Sequence, residues 1–270
     1  MLKFLFIISL LFTNQLSNSQ TITTDSLKKF SYFVFGTTSQ NNIVQGTASF
    51  IKYNDEIYLL TAAHVLDGWD YASNSSKGNY PDTLYVRVFT KDSMKPEFIP
   101  ISTKDIEEKN EKKFFFETAD LLILKVQIPH NCVVNTLEEF IDWTNIPTDE
   151  PRDVLVFGYP VDSTDNDFGH YINNINSQEA TGTIKQKYSS PVRFFENNVV
   201  DTINYVAFYQ SGNVDHGYSG SPTFFLYKSD KDNSILKISF GGVLCIRNEI
   251  HRYMTIVRPE IIVSKLLKNN

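Results

Sequence analysis

A serine set among glycines, Gly217-Tyr218-Ser219-Gly220-Ser221-Pro222, lies downstream of two other short runs, Thr61-Ala62-Ala63-His64 and Ala119-Asp120-Leu121-Leu122-Ile123-Leu124. A serine hydroxyl is a weak nucleophile at neutral pH. It becomes competent when a base stands within hydrogen-bond reach and a third group orients that base. His64, Asp120 and Ser219 offer an imidazole, a carboxylate and an alcohol in that chain order, and Gly217 and Gly220 let the chain turn sharply and approach a substrate carbonyl. The chemistry open to such a set is acyl transfer. Met singly, a histidine at a strand end or a serine between glycines is usually structural; the ordered set carries the reading.

These residues need a scaffold, and the chain between them reads as strand after strand, broken by Gly, Pro, Asn and Asp. Phe30-Ser31-Tyr32-Phe33-Val34-Phe35 and Thr47-Ala48-Ser49-Phe50-Ile51 are strands, separated by the polar loop from Gly36 to Asn42. Asn54-Asp55 marks a turn, and Ile57-Tyr58-Leu59-Leu60 runs straight into the His64 motif. Leu84-Tyr85-Val86-Arg87-Val88-Phe89 alternates with period two, as a half-buried strand does. Lys104 to Lys113 is a charge run that reads as a solvated hairpin loop. Residues 128 to 150 hold two prolines, several acids and no clear period, which predicts a connection with at most one helical turn. Val154 to Pro160, Ala180 to Ile184, Ile203 to Tyr209, Thr223 to Tyr227, Ile238 to Ile246 and Tyr253 to Val257 supply a second set of strands. Pro259 suits the first turn of a terminal helix, with Ile261, Ile262, Leu266 and Leu267 on one stripe. Short strands and scarce helix signals predict an antiparallel all-β fold.

The first twenty residues differ from the rest. Lys3 precedes a nine-residue run, Phe4 to Phe12, interrupted only by Ser9, and polar residues follow. That is the layout of a secretory signal cleaved near Ser19 or Gln20, and the run is too short to span a bilayer. The expected product is soluble and exported, secreted or periplasmic, with no stable membrane insertion. The formal charge of −6 becomes −7 without the leader, whose only charged residue is Lys3, so there is no basic stripe to draw nucleic acid. Cys132 and Cys245 are the only cysteines, and both read as buried free thiols rather than a bridge. His130, His170, His216 and His251 have no paired ligand spacing, so neither metal nor cofactor is expected.

In this strand-rich setting the three motifs resemble those of the chymotrypsin/trypsin-like serine endopeptidases, most closely the secreted bacterial branch. Thr61 to His64 matches the family's histidine motif. Gly217 to Pro222 matches its nucleophile motif, with Ser221 where many members carry a second glycine, and the run from Asp120 resembles its aspartate motif. The resemblance spans roughly Phe30 to Val257 and implies two antiparallel six-stranded β-barrels with a short C-terminal helix. The expected division is a signal peptide at 1–20, a first barrel at 21–128 carrying His64 and Asp120, a connection at 129–150, and a second barrel at 151–270 carrying Ser219.

The resemblance further implies that the N–H groups of Gly217 and Ser219 cradle an oxyanion. It places Asn213, His216 and Cys245 at the substrate pocket. Asn213 stands six residues before Ser219, where members that cut after Arg or Lys carry an aspartate. His216 either contacts substrate or is an exposed loop residue. Animal zymogens of this family switch on when a freed terminal amine pairs with an aspartate just before the serine, and Tyr218 stands there instead. The expected activity is that of a monomeric peptidase acting on proteins or peptides. Two other readings remain: a catalytically silent binding protein on the same fold, and an α/β-hydrolase esterase. The esterase is disfavoured by Ser221 in place of glycine and by strands without alternating helices.

Overall fold

The computed structural model describes residues 23–38, 43–67, 69–70, 75–76, 81–92, 95–103, 120–141, 153–160, 176–186, 192–194, 199–201, 204–211, 214, 217–228, 235–248 and 253–268. In the first half the strands are β1 (Tyr32–Thr38), β2 (Ile43–Tyr53), β3 (Glu56–Thr61), β4 (Trp69–Asp70), β5 (Ser75–Ser76), β6 (Pro81–Thr90), β7 (Pro96–Ser102), β8 (Leu122–Val126) and β9 (Cys132–Val133). The second half holds β10 (Asp153–Gly158), β11 (Gln178–Gln186), β12 (Val192–Phe194), β13 (Val199–Asp201), β14 (Asn204–Ser211), β15 (Pro222–Lys228), β16 (Ile235–Asn248) and β17 (Tyr253–Val257). Two helices, α1 (Ala63–Asp67) and α2 (Pro259–Lys268), and two 3-10 turns, Thr24–Phe30 and Leu137–Phe140, complete the described elements.

The strands form two curled antiparallel sheets. The first runs β7-β6-β1-β2-β3-β8, with β9 also paired to β6, and its path is open among the described residues. The second closes as a barrel in the order β10-β11-β14-β17-β16-β15. Asn54 and Asp55 both have positive φ (50° and 62°), the geometry of the two-residue turn whose twist matches paired strands, and they join β2 directly to β3. Sheet alternation sends Tyr32 and Val34 into the core and leaves Phe33 and Phe35 on the opposite face. The first sheet reaches beyond residue 128, because Cys132 pairs with Thr90 and Thr136 bridges to Phe50. The connection therefore begins still attached to the first sheet.

One apolar cluster serves both halves: Leu27, Phe30, Phe50, Leu59 and Val86 from the first pack in the same core as Phe157, Phe224, Phe240 and Val243 from the second. Phe30, Phe140 and Phe224 meet edge to face or tilted, with centroids 5.1 to 6.1 Å apart, tying the N-terminal turn and the connection to β15. Helix α2 adds Ile262 and Leu266, both fully buried. Both cysteines are buried, and neither is in a disulfide. Among the described residues no helix is long and apolar enough to cross a membrane.

Candidate active site

Register brings the imidazole and the carboxylate together. In the β3–β8 pairing Thr61 stands opposite Leu122, so the residues after Thr61 and those before Leu122 leave the sheet side by side. The chain then enters α1, whose Ala63 and Leu66 are buried against Leu122. Asp120 takes up both donors that His64 presents. Its Oδ1 accepts the His64 main-chain N–H at 2.9 Å, and its Oδ2 lies 2.5 Å from Nδ1. A proton held on Nδ1 by the carboxylate leaves the lone pair on Nε2, the form required of a general base. Both side chains are mostly shielded, at 17% and 25% exposure.

Ser219 sits on a turn between two glycines of positive φ, Gly217 at 92° and Gly220 at 88°. Neither position tolerates a side chain easily in that region. At Gly220 a Cβ would stand 1.9 Å from the Thr47 carbonyl oxygen and 2.2 Å from Thr61 Oγ1. The loop carrying Ser219 is thus pressed against the end of β3, from which His64 emerges. At Gly46 a Cβ would lie 2.7 Å from Val65 and 3.0 Å from the Ser219 carbonyl oxygen, so only a bare backbone fits between the two.

The loop's polar groups divide in a telling way. The carbonyls of Gly217, Tyr218 and Ser219 each accept a hydrogen bond, from Thr47 Oγ1 at 2.7 Å, Ser221 N–H at 2.9 Å and Thr47 N–H at 2.9 Å. Gly220 N–H donates to the Leu244 carbonyl at 2.7 Å. The N–H groups of Gly217 and Ser219 have no acceptor among the described residues.

Cys245 bridges the two halves of the site. Its thiol donates to the Asp120 main-chain carbonyl at 3.0 Å, and its own carbonyl accepts from Ser219 Oγ at 3.4 Å. At 1% exposure, Cys245 borders the serine through its main chain while its thiol is turned to Asp120. Asn213 and His216 lie outside the described residues. Tyr218 is 1% exposed, in a cluster with Val154, Val156, Val214 and Leu244 of the second half. It packs so closely on Gly158 that a Cβ there would stand 2.4 Å from its ring. Among the described residues no three His, Cys, Asp or Glu side chains gather as a metal site would require.

Thr47 was not legible as a site residue, since a threonine in a strand carries no signal of its own. Its part comes only from the docking of one sheet on the other.

Comparison of the fold gives two informative likenesses. The chain is 17% identical to the active form of the Rv3671c protease from M. tuberculosis, with a TM-score of 0.50, over 90% of this chain and 82% of that one. It is 13% identical to the apo protease domain of MamO from Magnetospirillum magneticum, with a TM-score of 0.50, over 90% of this chain and 98% of that one. No protein-family description matches the sequence. No curated protein matches it either. At these identities the likeness is one of architecture: the chain has the two-barrel, all-β fold of the chymotrypsin-like serine proteases.

Proposed function

We propose that this protein is an exported serine endopeptidase acting through Ser219, His64 and Asp120. The observation that carries the reading is the pairing of a doubly bonded His64–Asp120 unit with a serine loop whose Gly217 and Ser219 N–H groups are left without acceptors among the described residues. His64 Nε2 takes the Ser219 proton as Oγ attacks a peptide carbonyl. The two N–H groups receive the oxyanion, a role whose loss costs about 10²–10³ in rate per donor. The imidazolium, steadied by Asp120, then protonates the leaving amine, and water releases the acyl group by the same steps. No cofactor takes part. The substrates are proteins or peptides, and residues 1–20 are the export leader, which makes the working form secreted or periplasmic.

An active-serine phosphonate probe tests this on the mature chain. Labelling of the wild type and not of Ser219→Ala supports the peptidase. No labelling of a folded wild type favours a silent binding protein.

A further inference from the structure

The loop that carries Ser219 has to hold two N–H groups forward, and the neutral residue before the serine, Tyr218, offers no carboxylate to pair with a terminal ammonium. What holds it comes from the other sheet. Thr47, fully buried in β2, makes four hydrogen bonds there. Its hydroxyl donates to the Gly217 carbonyl at 2.7 Å and accepts from Tyr159 N–H at 3.0 Å. Its N–H donates to the Ser219 carbonyl at 2.9 Å, and its carbonyl accepts from Thr61 Oγ1 at 2.7 Å.

The Ser219 N–H belongs to the peptide plane of the Tyr218 carbonyl, which Ser221 N–H holds at 2.9 Å. The flanking planes, carrying the Gly217 and Ser219 carbonyls, are both held by Thr47. Turning the Ser219 N–H away breaks at least one of these bonds and leaves a buried polar group without a partner. We propose that Thr47 is the positioning residue of the oxyanion loop, a neutral clamp reaching from the first sheet that keeps the loop competent without a charged pair. This rests on the serine-peptidase reading. It makes competence of the loop a consequence of the two sheets being docked, and it asks nothing of the chain's terminus.

The test compares Thr47→Val, which keeps the shape and removes the hydroxyl, with Thr47→Ser, which keeps the hydroxyl. Activity is measured per serine titrated with the phosphonate probe, so that misfolded protein is not counted. Thr47→Val is expected to lower kcat per titrated site about 10- to 100-fold with KM within about twofold, and Thr47→Ser to recover to within about threefold of wild type. Amide exchange at Gly220 and Ser221 is expected to quicken in the valine variant and to stay near wild type in the serine variant. Wild-type kcat and exchange in a folded Thr47→Val protein overturn the clamp, and so does a Thr47→Ser protein as impaired as the valine one. If Thr47→Val does not fold, Thr47→Cys, close in volume and a weaker donor, takes its place with the same outcomes. If the wild type titrates no serine, the peptidase reading fails, and the exchange series still decides for or against the clamp.

Discussion

The Cys245 thiol hydrogen-bonds the main-chain carbonyl of Asp120 across 3.0 Å, from the closed barrel to the open sheet. Through its carbonyl the same residue borders the Ser219 hydroxyl at 3.4 Å. Ser219 and Asp120, 99 residues apart in the chain, are thereby both hydrogen-bonded to the one residue Cys245. His64 is fixed to the Asp120 carboxylate through its main-chain N–H and Nδ1.

In the proposed peptidase these three residues act as a unit. His64→Ala, Asp120→Asn and Ser219→Ala are each expected to lower peptide hydrolysis by about 10⁴ or more with little loss of folding. Combining His64→Ala with Ser219→Ala should scarcely worsen either single change. Steady-state kinetics with circular dichroism as a folding control checks this. An active Asp120→Asn enzyme would send the carboxylate role to Asp67 or Asp70, or remove the assignment altogether.

The N-terminal turn is built in. Leu27 and Phe30 are 0% and 2% exposed, Ser31 Oγ donates to the Phe157 carbonyl at 2.8 Å, and Tyr159 Oη donates to the Ser31 carbonyl at 3.0 Å. Removing the segment through Lys29 should therefore destabilise the protein rather than activate it, and Phe30→Ala should cost about 3–5 kcal/mol of stability. Residues 21 to 270 carrying an extra N-terminal tag should titrate as active. Activity that appears only after cleavage at Lys28-Lys29 would refute this.

In the proposed peptidase, a preference for cutting after a basic residue would call for an acid in the pocket. With Asn213 rather than an acid six residues before Ser219, no strong preference for Arg or Lys ahead of the cut is expected. A peptide-library profile measures it directly. Dominance of basic residues would contradict the expectation and point to Asp215.

Alkaline pH should loosen the first sheet. Burial pushes the Tyr32 phenol up to about 12, although the Asn135 N–H, 2.6 Å from its oxygen, favours the ionised form. In the unfolded chain the phenol ionises near 10.0. Its contribution is thus full below pH 10 and disappears as pH rises toward 12, by at most about 3 kcal/mol. Burial raises the Tyr159 phenol in the same sense. Denaturant midpoints measured from pH 9 to 12 should fall in the wild type and fall less in Tyr32→Phe. Equal falls in both would assign the effect elsewhere.

Where alternation was clean, the strands could be read from the residues. The run from Tyr253 to Val257 is β17, Leu84 to Phe89 lies within β6, and the terminal helix begins at Pro259. Strand β7 was hidden by Pro96 and Pro100, which argue against a strand in general. Among the described residues it is an edge strand paired to β6, where a missing N–H on the outer side costs nothing in the ladder. The loop read from Gly36 begins later, because β1 runs on to Thr38 after its register shifts against β6. The turn at Thr24–Phe30 went unread because its apolar residues are too few to show a period. At the candidate site, residue types and their order single out His64, Asp120 and Ser219, and the structure pairs the first two. What they could not announce was the packing of one sheet on the other, which gives Thr47, Cys245 and Gly158 their places.

The shared core has a consequence for how the molecule can be divided. Since the cluster running from Leu27 and Phe30 to Phe224, Phe240 and Leu266 belongs to both sheets, cutting the chain between them would expose apolar surface on each piece. Neither half is a module that could be moved into another protein, or lost from this one, while the other stood. Heating should give one cooperative transition with calorimetric and van't Hoff enthalpies in agreement, and the seam that holds the chemistry should vanish at the same temperature as the barrels themselves.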